Sequence, residues 1–499
     1  MSEANEQRCP PQPLIKPVDR NQYVLRPCHV ERLIPENHPA RDIWETVGRL
    51  DLSHFYEDIK SNSERGGRSA TDPRLLISLW IYAYSRGVGS AREVEQLCDY
   101  DPAFQWLTGM ESVNYHTLSD FRGDWEESEE VFSQILAVLL AEGLITLEQV
   151  MQDGTKIGAS TSGNTFHREK SLQQHLEEAR RQVAALADAE VVAAQSLRSQ
   201  KAQKRAQRER VERLERAGQQ LEKLREQKKT QEEKQAARVS FTDPEARIMK
   251  QSNRGFAPSY NAQICTDAQH KLILDAHLTQ AGNDFEQLQP ALERLQARFD
   301  RKPKQMVVDD GYVSRGNVES AATQGVDLLG GMPDNAAKAH PEDTRFPAQL
   351  FVYDPQQNQF VCPAGKVLAY EGKQNKDGLT YYKYKAQQPD CQSCPQKAQC
   401  CPKNEKHGRS VVRSEETSAM IKFRQKMATE EAKAQYRKRS EVAEFPHAWI
   451  KSKLGLWQFH VRGLLKSQAE LLWTCCTYNM LQWIRIRKKR AEPTPLPST

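Results

Sequence analysis

Gln305-Met-Val-Val-Asp309-Asp310-Gly311-Tyr312 is a short apolar run that stops on two acids and a glycine. A run of this kind, bounded by turn formers, reads as a strand buried on both faces. Upstream, Glu148-Gln-Val-Met-Gln-Asp153-Gly-Thr-Lys156-Ile has the same outline, a short strand ending in an acid and a glycine. Between them lie Tyr260-Asn-Ala-Gln-Ile-Cys-Thr and Leu272-Ile-Leu-Asp-Ala-His-Leu-Thr, strand-like runs joined by a polar turn at Asp267 to His270. A helix is expected from Asp284 to Phe299, a second near Asn317 to Thr323, and a last strand over Val326 to Leu329. The order strand, strand, strand, helix, strand, helix, strand predicts an α/β fold. Ligands of such sheets gather at strand ends, so acids placed there are well sited for chemistry. Either acid alone is an ordinary turn or cap residue. The pair, joined to a third acid set among bases, makes the stronger signal.

That third acid stands in Tyr436-Arg-Lys-Arg-Ser-Glu-Val-Ala-Glu444-Phe-Pro-His-Ala-Trp-Ile-Lys451. If the stretch is helical, Arg437, Glu444 and Lys451 fall at seven-residue steps and share a face. A lone carboxylate among bases suits a metal ion held beside a phosphate, the acid ligating the cation and the bases neutralising the polyanion. The bland alternative is a solvated basic face with internal ion pairs. Pro446 bears on the geometry, because it donates no helix hydrogen bond and restricts Phe445. A helix restarting at Pro446 would leave Glu444 just before it.

With 499 residues the chain is too long for one core, and two or three domains are expected. Its 27% charged and 38% hydrophobic residues fit a soluble globular protein. The net charge is only +5, so a nucleic-acid footprint must be local. No apolar run reaches the ~18 residues of a membrane span, and the polar, Pro-rich start lacks a signal-peptide core. Eleven cysteines, an odd number without an export signal, point to reduced thiols or metal ligands and to the cytoplasm.

Residues 1–20 read as a disordered arm and 21–145 as an all-α domain. In the latter, Asp72-Pro73 opens one helix and Ser90-Ala-Arg-Glu93 is a capping box for the next. A further helix is expected near Thr117, and Val131 to Leu144 reads as another. Short helices on tight turns could read DNA bases, but Asp99, Asp101, Asp120, Asp124, Glu126 and Glu127 make the region acid-rich and equally suited to a plain scaffold. Residues 166–238 form a helical, coiled-coil-like insertion. Leu172, Leu176, Ala179, Val183 and Leu186 make one apolar seam, and Leu214, Ala217, Leu221 and Leu224 the other. The chain must return to the sheet, so a hairpin turning near Ser199 is expected, serving dimerisation, DNA clamping through the basic run Lys201 to Arg210, or structure alone. Residues 336–412 form a β-rich, Cys-rich insertion. There Cys362, Cys391, Cys394 and Cys400, with Cys401 as the alternative to Cys400, read as ligands of a structural zinc ion, against unliganded thiols. Residues 413–486 carry Glu444 and close on a core helix from Leu464 to Ile486, and 487–499 read as a basic, Pro-rich tail.

The order Asp153-Gly-Thr-Lys156, Asp309-Asp-Gly-Tyr312, then Tyr436, Arg439, Glu444 and Lys451 resembles the bacterial insertion-sequence DDE transposases. Thr242-Asp-Pro-Glu-Ala-Arg247, Tyr260-Asn-Ala-Gln263, Arg462-Gly-Leu, Glu470 and Tyr478-Asn479 also resemble that group, so the likeness runs from about Asp72 to Trp483. It implies an RNase H-like mixed sheet with flanking helices as the catalytic core, in residues 146–165, 239–335 and 413–486. It further implies Asp153, Asp309 and Glu444 as the acids that hold two Mg²⁺ or Mn²⁺ ions, and Tyr436, Arg439 and Lys451 as phosphate contacts. Asp309 rather than Asp310 stands two before the glycine, and Glu444 rather than Glu441 seven before the lysine. One departure is that many relatives carry Phe-Gly where His447 and Ala448 stand. The implied reaction is cleavage at transposon ends followed by strand transfer into target DNA. The implied partners are double-stranded DNA (terminal inverted repeats and target) and a second copy in the synaptic complex. An inactive or domesticated DNA-binding protein of the same fold is the alternative, and a stand-alone metal-dependent nuclease is another.

Overall fold

The computed structural model describes residues 19–491 apart from 24, 26, 58, 60–65, 67–68, 189–196, 332–345, 347–349, 377–378, 402–406 and 415–416. The arm read over residues 1–20 lies, up to residue 18, outside the described residues, as does the tail beyond 491.

The two acid-ended stretches are neighbours in one six-stranded mixed sheet. Its strands are β1 (Gln149–Gly158), β2 (Arg247–Lys250), β3 (Phe256–Asp267), β4 (Ile273–Thr279), β5 (Gln305–Val308) and β6 (Asp327–Gly330). β3 lies antiparallel beside β1 and carries β2 and β4 on its far edge. On the other side β5 runs parallel to β1, and β6 parallel to β5. From β4 inward the order is therefore β4, β3, β1, β5, β6. Met306, Val307 and Val308 are buried, as a parallel strand covered on both faces requires. β2 went unread in the sequence because four residues with one buried side chain, Met249, offer too little pattern.

The expectation that the first strand stops at Asp153 needs correction. β1 continues to Gly158, because β3 pairs with it from Val150 to Gly158. What stops beside Asp153 is β5, whose last parallel pairing is Gln152 with Val308.

Ahead of the sheet come α1 (Pro39–Val47), α2 (Pro73–Ser85), α3 (Ala91–Tyr100), α4 (Pro102–Thr108), α5 (Tyr115–Gly123) and α6 (Trp125–Ala141). The acids of this region have local work. Asp72, Asp101 and Asp124 are N-caps that accept from the first free amides of α2, α4 and α6. The inserted helices are α7 (Glu169–Asp188) and α8 (Leu197–Glu226), packed through Leu172, Ala179, Leu214, Ala217, Leu221 and Val239. Ser199 lies within α8, so no turn is placed there, and residues 189–196, between the two helices, lie outside the described residues. α9 (Leu288–Phe299) leads into β5, and α10 (Arg315–Thr323) joins β5 to β6.

A separate five-stranded antiparallel sheet follows, with β7 (Val352–Asp354), β8 (Gln359–Val361), β9 (Val367–Lys376), β10 (Leu379–Ala386) and β11 (Ser410–Ser414) side by side in chain order. It has its own small core of Phe351, Phe360, Leu368, Tyr384, Ala386 and Val411. The chain closes with α11 (Ser418–Ala428), α12 (Glu430–Arg437), α13 (Arg439–Ser452) and α14 (Leu464–Ala491). α14 runs past Ile486 and takes up the first residues read as a tail. It is buried on nearly every side from Ser467 to Tyr478, wedged between α2, α6 and β4. Two of its amides close the free edge of β4. Gln468 accepts from Leu278 N at 2.7 Å and donates to Ala276 O at 2.8 Å, and Asn479 does the same for Ile273 at 2.8 and 2.7 Å. Among the described residues, no helix is long and apolar enough to cross a membrane.

Candidate active site

The sheet brings the first two acids together through register. Gln152 opposite Val308 puts Asp153 and Asp309 at one level, Asp309 being the first residue past the end of β5. The third acid arrives on α13, which packs over β1 and β3. This helix does not restart at Pro446. It is continuous from Arg439 to Ser452 with Pro446 inside it, and the break falls at Lys438 instead. Arg437 therefore belongs to α12 and is exposed, so the seven-residue face starting from it does not form.

Arg439, the first residue of α13, lies at the centre. Its Nη1 is 3.5 Å from Asp153 Oδ2, and its Nη2 is 3.4 Å from Asp309 Oδ1 and 3.7 Å from Glu444 Oε1. One guanidinium thus faces three carboxylates from three separate elements. Burial opposes its charge, but Asp309, Asp153, Tyr436 and Glu444 outweigh that and hold it more firmly protonated than usual. The acids differ in exposure: Asp153 is 18% exposed, Asp309 40% and Glu444 58%. Burial pushes the Asp153 carboxyl up to about 6, with Asp309 and Asp284 adding to the rise and Arg439 and the Gly154 amide opposing it. Set around the guanidinium, the acids stand apart. Among the described residues, no group of three or more His, Cys, Asp or Glu side chains is arranged to hold a metal ion.

The motif's remaining aromatic and base, Tyr436 and Lys451, also converge. Tyr436 donates its hydroxyl to Asp309 Oδ1 at 3.3 Å. Gly331 makes room for it, since a Cβ there would sit 2.8 Å from that hydroxyl. Lys451, two turns beyond Glu444 on α13, donates to Thr155 Oγ1 at 2.6 Å, one step past Gly154 on β1. Burial lowers its pKa, with Lys156 adding to the effect and Asp153 opposing it. His447 is buried with Nδ1 3.8 Å from Asp153 Oδ2, and its Nε2 has no hydrogen-bond partner. Burial, then Lys451 and Arg439, push it down to about 3, so it is neutral. Among the described residues, the ion pairs of Arg439 are with Asp153, Asp309 and Glu444 and not with Asp310 or Glu441.

A polar layer behind β1 ties the first two acid motifs together. Tyr312 donates to Gln263 Oε1 at 2.5 Å, and Gln152 donates to the same oxygen at 3.2 Å. Asp284 Oδ1 accepts from Gln263 at 2.6 Å and Asn261 at 2.7 Å. Only a glycine at 154 allows this layer, because a Cβ there would lie 2.5 Å from Asp284 Oδ1. Sequence reading took Asp284 as a helix start and gave Thr155 no role. Neither has a local signature, since both partnerships cross from one element to another.

The five thiols Cys362, Cys391, Cys394, Cys400 and Cys401 line one small cavity beneath the second sheet. Backbone amides of Lys366 and Arg409 point at the sulfurs of Cys362 and Cys391, at 3.3 and 3.4 Å. Burial, and then Cys401, raise the Cys400 thiol to about 11, so without a bound cation it stays protonated at neutral pH.

Two family models point to one class. Residues 361–484, which include Glu444, match the family model described as a transposase DDE domain. Residues 29–124, which cover α1 to α5, match a second described as a transposase domain. No curated protein matches the chain. Among solved structures it is similar to the piggyBac transposase in a synaptic complex with hairpin DNA, at 8% identity over 94% of this chain and 88% of that one. The TM-score of 0.23 is too low to say anything of the fold. The chain is a DDE transposase, an enzyme that cleaves DNA and transfers its strands. More narrowly, the pairing of these two domain matches supports a DDE transposase of the insertion-sequence kind.

Proposed function

We propose that Asp153, Asp309 and Glu444 are the catalytic acids and that the six-stranded sheet is an RNase H-like core. The observation that carries this is the single guanidinium shared by three carboxylates from β1, the end of β5 and α13. The strand order and the parallel β1–β5 pairing support the same reading. The donor set fits hard divalent cations, being all oxygen, already sharing a cation and open to solvent at Glu444. Two Mg²⁺ or Mn²⁺ ions held there would activate the attacking water or 3′-hydroxyl and neutralise charge at the leaving oxygen. The chain's own residues do the rest. Arg439 and Lys451 offer the scissile phosphate a planar fork and a point charge. Thr155 fixes the Lys451 ammonium, and Tyr436 orients Asp309. The polar layer through Tyr312 and Gln263 keeps the first two acids in register.

The DNA bound would be the inverted repeats at the ends of the element and its target, held by two copies in a synaptic complex. A strand-cleavage and joining assay on the element's own ends, with Mg²⁺ or Mn²⁺, tests the reading. Joined products lost in Glu444→Ala support it, and cleavage without joining points to a nuclease instead. We also propose that Cys362, Cys391, Cys394 and Cys400 take a structural zinc ion, supported by the shared cavity and the two amides aimed at sulfur. Purified protein without zinc would overturn that.

A further inference from the structure

The distances around Arg439 carry more than the identity of the acids. At 3.4 to 3.7 Å its three contacts are ion pairs rather than well-made hydrogen bonds. The guanidinium is thus held by charge, by groups that do not match its fork geometry. Its side chain is 14% exposed and fills the space onto which the three carboxylates face. With it in place, the described residues include no group of three such side chains arranged to ligate a cation. The two nearby lysines act on Asp153 only through space, since Lys451 donates to Thr155 and Lys156 lies against Asp284 at 4.0 Å. A phosphate group offers a guanidinium what these acids do not, a planar bidentate acceptor pair at short range.

We propose that Arg439 is the resident counter-cation of the DNA-free enzyme, and that a DNA phosphate draws it off the three acids and so opens them to divalent metal. This rests on the assignment of the acids above. Metal and DNA binding are then coupled through one side chain, and the coupling is reciprocal: each raises affinity for the other by the same factor. An enzyme built this way loads metal where DNA is in place and carries few loaded sites when free. The guanidinium also spares Asp153, the least exposed acid, from facing Asp309 without a counter-charge.

The test reads metal, not activity. Free Mn²⁺ is followed by electron paramagnetic resonance as it titrates the full chain, with and without a duplex carrying the element's end. In the wild type, saturating duplex should raise Mn²⁺ affinity by about 5- to 150-fold, the usual span of such couplings. Arg439→Ala without DNA should bind Mn²⁺ tighter than the DNA-free wild type by a similar factor, and the duplex should add little. Arg439→Lys, which keeps the charge and loses the fork, should fall between. An unchanged wild-type affinity with and without duplex overturns the proposal, and that arm needs no variant to fold. Equal affinities of wild type and a folded Arg439→Ala also overturn it. A separate control isolates the acids. If Asp153→Asn leaves Mn²⁺ binding intact, the triad assignment fails, whereas if it abolishes binding while Arg439 has no effect, the coupling alone fails.

Discussion

Two clusters in this molecule set an arginine against carboxylate, and they are built to opposite ends. In the first, Glu470 of α14 is fully buried and met from all sides. Its Oε1 lies 2.7 Å from His460 Nδ1, 3.5 Å from the Tyr84 hydroxyl and 3.9 Å from Arg122 Nη1, while its Oε2 accepts from the His460 amide at 2.9 Å. Arg122, itself buried, lies over the Trp80 ring at 4.6 Å and also donates to Gly89 O. One acid with several donors leaves nothing over for a ligand. In the second, one arginine serves three acids at longer range, and the acids reach 58% exposure. There the charge is in excess and open. An acid met by several donors joins helices, here α2 and α5 to α14, whereas acids sharing one cation have affinity to spare for metal and phosphate.

The largest test of that contrast is to remove an acid from each and ask what is lost. Asp153→Ala, Asp309→Ala and Glu444→Ala should each cut strand transfer by roughly 10³-fold or more, about 4 kcal/mol of barrier, with little loss of fold. Asp310→Ala and Glu441→Ala should retain activity, and a dead enzyme at either would show that the neighbouring acids were misassigned. Cleavage assays paired with thermal unfolding separate chemistry from stability.

At the other cluster the loss should fall on the fold. Glu470→Ala strands Arg122 in a buried site and should cost about 3–5 kcal/mol, read from chemical denaturation. If instead Glu470→Ala is mild and Asp153→Ala unfolds the protein, the contrast between the two clusters is wrong.

Acidity tests the open cluster next. The folded Asp153 carboxyl titrates near 6, above its ordinary 3.8, so the folded state holds this proton more tightly than the unfolded one. Its contribution is therefore most favourable below about pH 4 and is lost as pH rises towards 6, on the order of 3 kcal/mol in all. Subtracting the pH–stability profile of Asp153→Asn from that of the wild type should show this slope between pH 4 and 6, and the Asn variant should be the more stable at pH 7. A flat difference would mean that burial does not strain this acid.

How much of this could be read beforehand depends on whether a partner is local. Asp309 was legible because an apolar strand ending on an acid is a feature of eight consecutive residues. The helix signals at Asp72-Pro73 and Ser90 were legible for the same reason, since caps bond within one turn. Asp153 was read as ending its strand, whereas β1 runs on, because the β3 pairing that extends it is set by residues about a hundred positions away. Pro446 argued for a break that tertiary packing of Val442, Ala443 and Ile450 overrides. The roles of Thr155, Asp284 and Gln263 rest on side chains meeting across the sheet, for which no spacing rule exists. Glu470 is the one acid of α14, and its burial among Tyr84, His460 and Arg122 gives that placement its physical meaning.

The smallest effect expected lies on the same helix, where Gln468 and Asn479 close the edge of β4. Each satisfies one strand amide and one strand carbonyl, so replacing either by alanine leaves two backbone groups without partners, a cost of about 1–3 kcal/mol. Their surroundings separate them. Gln468 and Leu278 line a groove of about 770 Å³ between α6, α9 and β4, open enough for water to replace the lost bonds. Asn479 is fully buried beside Ile273 and has no such access. Asn479→Ala should therefore cost more than Gln468→Ala, and amide exchange at Ile273 should quicken more than at Leu278. Equal costs would show that water reaches the Ile273 end of the edge as well, and that α14 holds β4 by packing rather than by these amides.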